Sequence, residues 1–482
     1  MKKITILVLF LGLGATALFA DNIKKAESYL KQGSYKYLLQ DYTGAVRDLS
    51  KAIEIDPKHA GAYACRGNTK FLLKNYTGVI QDCSKAIALD PKYADAYACR
   101  GNAKFLLQDY AGVIQDCNKA IKLDPKHADA YAWRGNAKSV LHDYTGAIQD
   151  YSKAIALDKA IALDPEYAWA YAWRGIAKSG LLDYTGAIQD YSKAIELDPK
   201  HAGAYAWRGN AKFLLQDYTG VVQDCSKAIE LDPKHAGAYA WRGNAKFLLQ
   251  DYTGAIHDYN KAIELDPNHA LAYACRGNAK FLLQDYTGVI QDCNKAIELD
   301  PKYARAYTWR GIARSESQDY AGAIQDYCKA IELDPKHALI YAWRGNTKFL
   351  LQDYTGVIQD CSKAIELDPK YADAYAWRGN AKFLLHNYTG VIQDCSKAIE
   401  LDPKHADAYA WRGNAKSGLH DYTGAIQDYS EAVALNPEHA WAYAGRGLAK
   451  EMIKDKWGAL ADLSKAGELV FSGAYEAIQK RD

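Results

Sequence analysis

The chain has 482 residues, with 60 lysines and arginines against 58 aspartates and glutamates, and a formal net charge of +2. A near-neutral balance without a basic tract or charged tail argues against a nucleic-acid partner. No GxSxG, P-loop, HExxH or dinucleotide fingerprint is present, and the carboxylates recur at fixed repeat positions instead of forming one unique constellation, so nothing marks an enzyme or a cofactor site.

In chain order, residues 1–20 read MKKITILVLFLGLGATALFA. Two lysines, an apolar run and a small-residue end predict a cleaved Sec-type signal peptide, cut after Ala17 or Ala20. The run is short for a membrane span and holds Gly12 and Gly14. No cysteine stands near the cut to carry a lipid, and no later segment is apolar enough to span a bilayer. The expected location is therefore periplasmic or secreted. Loss of Lys2 and Lys3 takes the formal charge from +2 to zero. Residues 21–25 are a short lead-in.

Everything from 26 to 473 is one array. All twelve prolines, from Pro57 to Pro437, occupy one position of a repeating unit, and every gap is 34 residues except Pro125 to Pro165, which is 40. A period of this length marks one supersecondary element that cannot bury its apolar face alone. Thirteen units follow, starting at Ala26, Ala60, Ala94, Ala128, Ala168, Ala202, Ala236, Ala270, Ala304, Ala338, Ala372, Ala406 and Ala440. The unit from Ala236 to His269, numbered 1 to 34, serves as a specimen. Asp266-Pro267 predicts an N-cap and first turn, so that helix A begins there. Gln250-Asp251 interrupts the pattern, and Thr253-Gly254 opens helix B. Helix B carries an apolar stripe of Ala255, Ile256, Tyr259, Ala262 and Ile263. Gly243 and Gly254 recur in every unit and predict close approach of helices A and B.

Tyr239, Gly243, Tyr252, Ala255, Tyr259, Ala262 and Pro267, at positions 4, 8, 17, 20, 24, 27 and 32, resemble the tetratricopeptide repeat. The resemblance implies an all-α fold, a right-handed α-solenoid of about thirteen helix–turn–helix repeats. A short polar helix over 474–482 would cap it, since solenoids need a polar end. Two positions depart from the family. Position 7 is arginine, from Arg66 to Arg446, with Gln32 the exception; position 11 is a lysine, or Arg314 once. Position 23 is aspartate throughout, from Asp48 to Asp462. A cation and an anion that recur together predict a cross-helix ion pair, Arg242 to Asp258 in the specimen with Lys246 nearby, in preference to a ligand-binding cation row.

Positions 20 and 24 change together. Six units pair Val with Cys, as Val79/Cys83 and Val113/Cys117; five pair Ala with Tyr, as Ala147/Tyr151 and Ala187/Tyr191. Position 12 follows, with Phe in the Cys units and Ser in four of the five Tyr units. Compensating volumes in a packed interior and duplication of two cassettes both account for this. The 40-residue gap comes from a doubled KAIALD, at 153–158 and again at 159–164, and predicts a perturbed junction there. Of ten cysteines, six take position 24, three take position 6 (Cys65, Cys99, Cys275), and Cys328 stands alone at position 25. Equivalent residues of neighbouring units lie about 16–20 Å apart, too far for a disulfide. Cys65 and Cys83 of one unit face different sides. The cysteines therefore read as unpaired and mainly as small buried hydrophobes. The twelve histidines, eight of them at position 34, read as structural, as do the sequons at Asn75 and Asn387.

In the family, helix A lines the concave surface through positions 2, 5, 6, 9, 12 and 13. Carried over, position 6 gives Trp133, Trp173, Trp207, Trp241, Trp309, Trp343, Trp377 and Trp411. Position 9 gives Asn68, Asn102, Asn136, Asn210, Asn244, Asn278, Asn346, Asn380 and Asn414, with Ile176 and Ile312 interrupting. Residues three apart on a helix are neighbours, so the two rows share a face. Two readings remain: a scaffold that binds an extended peptide or partner helix of another protein, and a glycan-binding array with sugars stacked on the tryptophans. The alternative for both rows is packing inside the array. Phe71, Phe105, Phe213, Phe247, Phe281, Phe349 and Phe383 favour peptide. Position 2 varies most (Gly61, Asp95, Trp169, Leu271, Arg305, Leu339, Trp441) and is the place for local selectivity.

Overall fold

The computed structural model describes residues 22–158 and 168–479; the leader 1–20 and the second KAIALD copy lie outside them. Two compact units, Met1–Leu249 and Gln250–Asp482, divide the chain. Among the described residues every regular element is a helix, and no strand occurs. Each unit is a row of antiparallel pairs: a 13-residue helix A such as Ala60–Leu72, then a 14-residue helix B such as Tyr76–Leu89. Each helix B packs in turn on the next helix A, here Ala94–Leu106. No described helix is long and apolar enough to cross a membrane.

The helix boundaries differ from those the sequence predicts. Asp-Pro ends helix B; it does not start helix A. Asp90 is the C-cap of Tyr76–Leu89, its N–H donating to the Ala86 carbonyl at 2.8 Å. Its carboxylate then accepts from the Lys92 N–H at 2.9 Å, closing an Asx turn over Pro91. Helix A begins three residues later, and position 34 is its N-cap. His59, His201 and His405 accept through Nδ1 from the N–H of Ala62, Ala204 and Ala408 at 3.1–3.3 Å. Helix B is capped by position 16: Asp109 accepts from the Gly112 N–H at 2.9 Å, and Asn75 and Asn387 do the same for Gly78 and Gly390. Both sequons are thus helix caps.

The residue before that cap is left-handed in every unit. Gln108, Gln216 and Gln284 have φ of 64°, 63° and 61°, and none of the thirteen such residues is glycine. The two recurring glycines do different things. At position 8 the helices do meet: a Cβ on Gly101 would lie 3.1 Å from Cys117 Sγ. At position 19 the neighbour is the local cap, since a Cβ on Gly112 would lie 2.1 Å from Asp109 Oδ2. That glycine keeps room for the capping carboxylate and also meets the position-11 side chain of helix A, as Gly220 meets Lys212 and as Gly186 O accepts from Lys178 Nζ at 3.3 Å.

The recurring charges are cross-helix pairs. Arg66 donates to both oxygens of buried Asp82, at 2.9 and 2.7 Å, and Lys70 Nζ sits 2.8 Å from Oδ2. The same triad is built by Arg100, Lys104 and Asp116 in the first unit, and by Arg344, Lys348 and Asp360 in the second. Asp82's hydrogen bonds hold the Arg66 guanidinium above its ordinary range. Each guanidinium also lies over the position-4 tyrosine, Arg66 at 5.6 Å from the Tyr63 ring. Its Nη1 reaches back to position 25 of the preceding unit: Ser50 for Arg66, Asn118 for Arg134, and Cys328 for Arg344 at 3.2 Å. That contact accounts for the solitary position-25 cysteine. Where Gln32 replaces the arginine, Lys36 holds Asp48, with Arg47 Nε 3.8 Å from its other oxygen.

The core is a chain of small clusters between helices. In Cys units one such cluster is Val113, Cys117, Ala120, Ala130 and Ala137, with Phe105 and Trp133 packed on it. Burial pushes the Cys117 and Cys293 thiols up to about 12, so both stay protonated. No disulfide joins any of the ten cysteines. In Tyr units the ring runs back under helix A, with Tyr151 Cε1 2.9 Å from where a Gly135 Cβ would lie. Its hydroxyl donates to Asn136 Oδ1 at 2.7 Å, while the Tyr191 hydroxyl lies 3.3 Å from Ser179 Oγ. The tyrosine thus reaches position 12, where Cys units place Phe. This is the physical basis of the covariation.

The doubled segment does not disturb the junction it adjoins. Helix Tyr144–Asp158 is one residue longer than its siblings, and its KAIALD copy packs as usual, with Ala154 and Ile155 buried. Tyr151 joins Ala177 and Trp173 of the following helix in one cluster, and Arg174 donates to Ser152 at 3.2 Å, as in other units. The expected perturbation is absent from the described helices because the same contacts form on both sides. The last helix, Lys456–Gln479, is continuous, so residues 474–479 extend helix B of the final unit and form no separate cap.

Candidate partner-binding surface

All eight position-6 tryptophans are half-buried. Their faces are largely covered. Phe105 meets Trp133 at 5.8 Å between ring centroids, Phe213 meets Trp241 at 5.3 Å, Phe281 meets Trp309 at 5.4 Å, and Phe383 meets Trp411 at 5.6 Å. Tryptophans also meet each other, Trp173 with Trp207 and Trp343 with Trp377, both at 6.4 Å. The row is therefore part of the packing as well as a wall of the surface.

The asparagine row divides by unit type. In Tyr units it is engaged inside the array: Asn136 accepts from Tyr151, and Asn414 from Tyr429. In Cys units no tyrosine reaches it. Oδ1 of Asn102, Asn210 and Asn380 is buried without a hydrogen-bond partner. A buried acceptor left unpaired costs about 1–3 kcal/mol. The cysteine at position 24 is shared with the units of Asn68, Asn278 and Asn346 and so does not by itself single these three out.

Two clefts gather these groups, one in each compact unit. In the first, about 280 Å³ is lined by Asn68, Asn102, Phe71, Cys99, Trp133 and the acids Asp95 and Asp129. In the second, about 230 Å³ is lined by Asn346, Asn380, Phe349, Trp377, Trp411, Trp441, His405 and Asp407. The remaining predicted residues, including Asn244 and Asn278, line neither cleft. Histidine at the rim was not anticipated. His127 Nε2 lies 3.2 Å from Asp95, His405 lies 3.2 Å from Asp373, and His439 lies 3.1 Å from Asp407. The Asp373 carboxylate beside it raises the pKa of His405, and the hydrogen bond to His439 lowers that of Asp407. Histidine at position 34 with aspartate 32 residues earlier was a readable signal for these pairs. No cluster able to hold a metal occurs among the described residues.

Tetratricopeptide-repeat profiles match residues 26–59, 94–127, 183–216, 243–284, 293–325, 313–352, 395–427 and 420–453. The chain is a tetratricopeptide repeat protein. Such arrays are typically scaffolds for protein–protein contact and generally not enzymes. Comparison with curated proteins gave no match. Among similar solved structures is the APC/C hetero-tetramer Cut9–Hcn1, 15% identical with a TM-score of 0.42, covering 92% of this chain and 94% of that one. MamA is 27% identical with a TM-score of 0.32, covering 34% and 96%. Yeast Tom70 is 19% identical with a TM-score of 0.36, covering 89% and 96%. At such TM-scores nothing about the partner of this tetratricopeptide array follows from them.

Proposed function

We propose that this tetratricopeptide array is an exported, non-enzymatic scaffold that holds an extended peptide segment of another protein along its helix-A face. The observation that carries the reading is the set of unpartnered asparagine carbonyls, Asn102, Asn210 and Asn380, two of them in clefts walled by Phe and Trp. A peptide backbone N–H satisfies each acceptor, and its apolar side chains fill the Phe and Trp walls. Contacts spread over many units make the binding multivalent. The glycan reading is less well supported. Sugar stacking needs open tryptophan faces, and four of the eight tryptophans pack against Phe105, Phe213, Phe281 and Phe383. Export rests on the composition of residues 1–20 and places the scaffold in the periplasm or outside the cell.

A crosslinked pull-down from the envelope fraction supplies the partner. Replacing Asn102, Asn210 and Asn380 together by Ala removes unpaired acceptors, so the fold should become no less stable. Affinity for the captured partner should nevertheless fall. Retention of full affinity by the triple variant would remove the helix-A face from consideration and turn attention to helix B. N-terminal sequencing of protein from fractionated cells tests export, and recovery of Met1 would rule out cleavage.

A further inference from the structure

The structure brings together cysteines at different repeat positions of adjacent units. Position 24 of each unit lies against position 6 of the next: Cys117 on Trp133, Cys395 on Trp411, and Tyr191 on Trp207 at 6.2 Å. Of the twelve such junctions in the sequence, only one has cysteine on both sides, Cys83 with Cys99. There the two side chains pack in one cluster with Val79 and Ala103. Cys83 is fully buried, whereas Cys99 is only partly so and lines the cleft of the first compact unit.

We infer that Cys83 and Cys99 are a redox-modifiable dithiol that closes to a disulfide across the junction of two repeats, reached from the helix-A face. The oxidant is a small-molecule disulfide, R–S–S–R. Cys99 gives up its proton to solvent, and its sulfur attacks one sulfur of the reagent. The reagent's S–S bond breaks, and the departing thiolate takes a proton and leaves as R–SH. Cys83 then loses its proton and attacks Cys99 Sγ, expelling the second R–SH. Two protein thiols are oxidised by two electrons, and one external disulfide is reduced to two thiols. The order follows from access. The Cys99 thiol beside it and burial hold the Cys83 thiol well above its ordinary range, and no reagent reaches it directly. The bond ties helix Tyr76–Leu89 to helix Ala94–Leu106 beside Asn102.

The test uses the full folded chain, incubated with oxidised and reduced glutathione over a range of ratios, alkylated under native quench and then denaturing conditions, and digested without reductant. The expected product is one linked peptide pair, Cys83 to Cys99, lighter by two hydrogens, with the remaining cysteines alkylated and the thermal midpoint raised. Cys65→Ser should leave the link intact. Cys99→Ala, at a partly exposed site and helical by circular dichroism, should abolish it and leave Cys83 as a thiol. Three results would each overturn the inference: a Cys65–Cys83 link, a link seen only after denaturant, or stable glutathione on Cys99 without progress to the disulfide.

Discussion

One substitution at position 8 of the repeat should have different effects at Gly277, in a Cys unit, and at Gly311, in a Tyr unit. A Cβ added to Gly277 would lie 3.5 Å from Asp292 Cβ and 3.7 Å from Cys293 Sγ, ordinary contacts. A Cβ added to Gly311 would lie 2.8 Å from Tyr327 Cε1 and 3.1 Å from Cδ1. Tyr327 is fully buried, so its ring has little room to withdraw. Glycine to alanine inside a helix gains about 0.8–1 kcal/mol. Overpacking a rigid core site costs about 1–3 kcal/mol. Gly277→Ala should therefore stabilise by about 1 kcal/mol, whereas Gly311→Ala should be neutral to destabilising by about 2 kcal/mol. Both glycines lie in the second compact unit. Unfolding of a repeat array need not be two-state. The assay is accordingly hydrogen exchange of helices Ala270–Leu282 and Ala304–Glu316, with urea melts by circular dichroism alongside. Converting the second site with Tyr327→Cys, Ala323→Val and Ser315→Phe should make Gly311→Ala harmless. Equal effects of the two single changes, within about 0.5 kcal/mol, would refute the reasoning from these two sets of contacts.

Other outcomes follow from the same geometry. Asp292→Ala leaves Arg276 and Lys280 half-buried without their shared anion and should cost about 3–5 kcal/mol by exchange or urea melt. Replacing all three by Leu or Met should restore most of that, and a loss below about 1 kcal/mol from the single change would discount the triad. Gln284 sits at φ 61°, so Gln284→Gly should stabilise by up to about 1 kcal/mol, measured the same way. His405 has its pKa raised by the Asp373 carboxylate beside it. Its contribution is thus fully present below the unfolded value of about 6.5 and fades as pH rises through the higher folded value. Asp373→Asn should accordingly lower the thermal midpoint more in mildly acid buffer than in alkaline buffer; a pH-independent loss would count against the pair.

Much of the fold was legible because a 34-residue period with a two-helix pattern admits few solutions. The Arg–Asp pairing was legible for a similar reason: opposite charges recurring at fixed spacing on facing helices have one obvious use. The helix phase was not. Asp-Pro reads equally as the start of a helix or as the stop after one. The choice turns on His59 and its equivalents, whose Nδ1 caps helix A although histidine carries little capping preference. The left-handed residue before Asp109 was also invisible, because Gln108 has none of the composition that marks such a conformation. In the candidate surface, members of the two rows line the same clefts. That Asn136 and Asn414 are engaged by a tyrosine hydroxyl from helix B is a contact the sequence records only as covariation.

Each arginine at position 7 completes one bond within its own unit and one with the unit before, and each position-25 side chain receives from the unit after. A unit carries both halves of this joint. Copying or deleting a whole unit by unequal crossing-over therefore leaves no stranded donor at either new boundary. The gene is free to change its copy number by single units, and near-identical stretches such as 202–214 and 236–248 are the kind of tract on which such exchange acts. Reach along a partner is then a quantity that evolution adjusts by counting, without redesigning any interface.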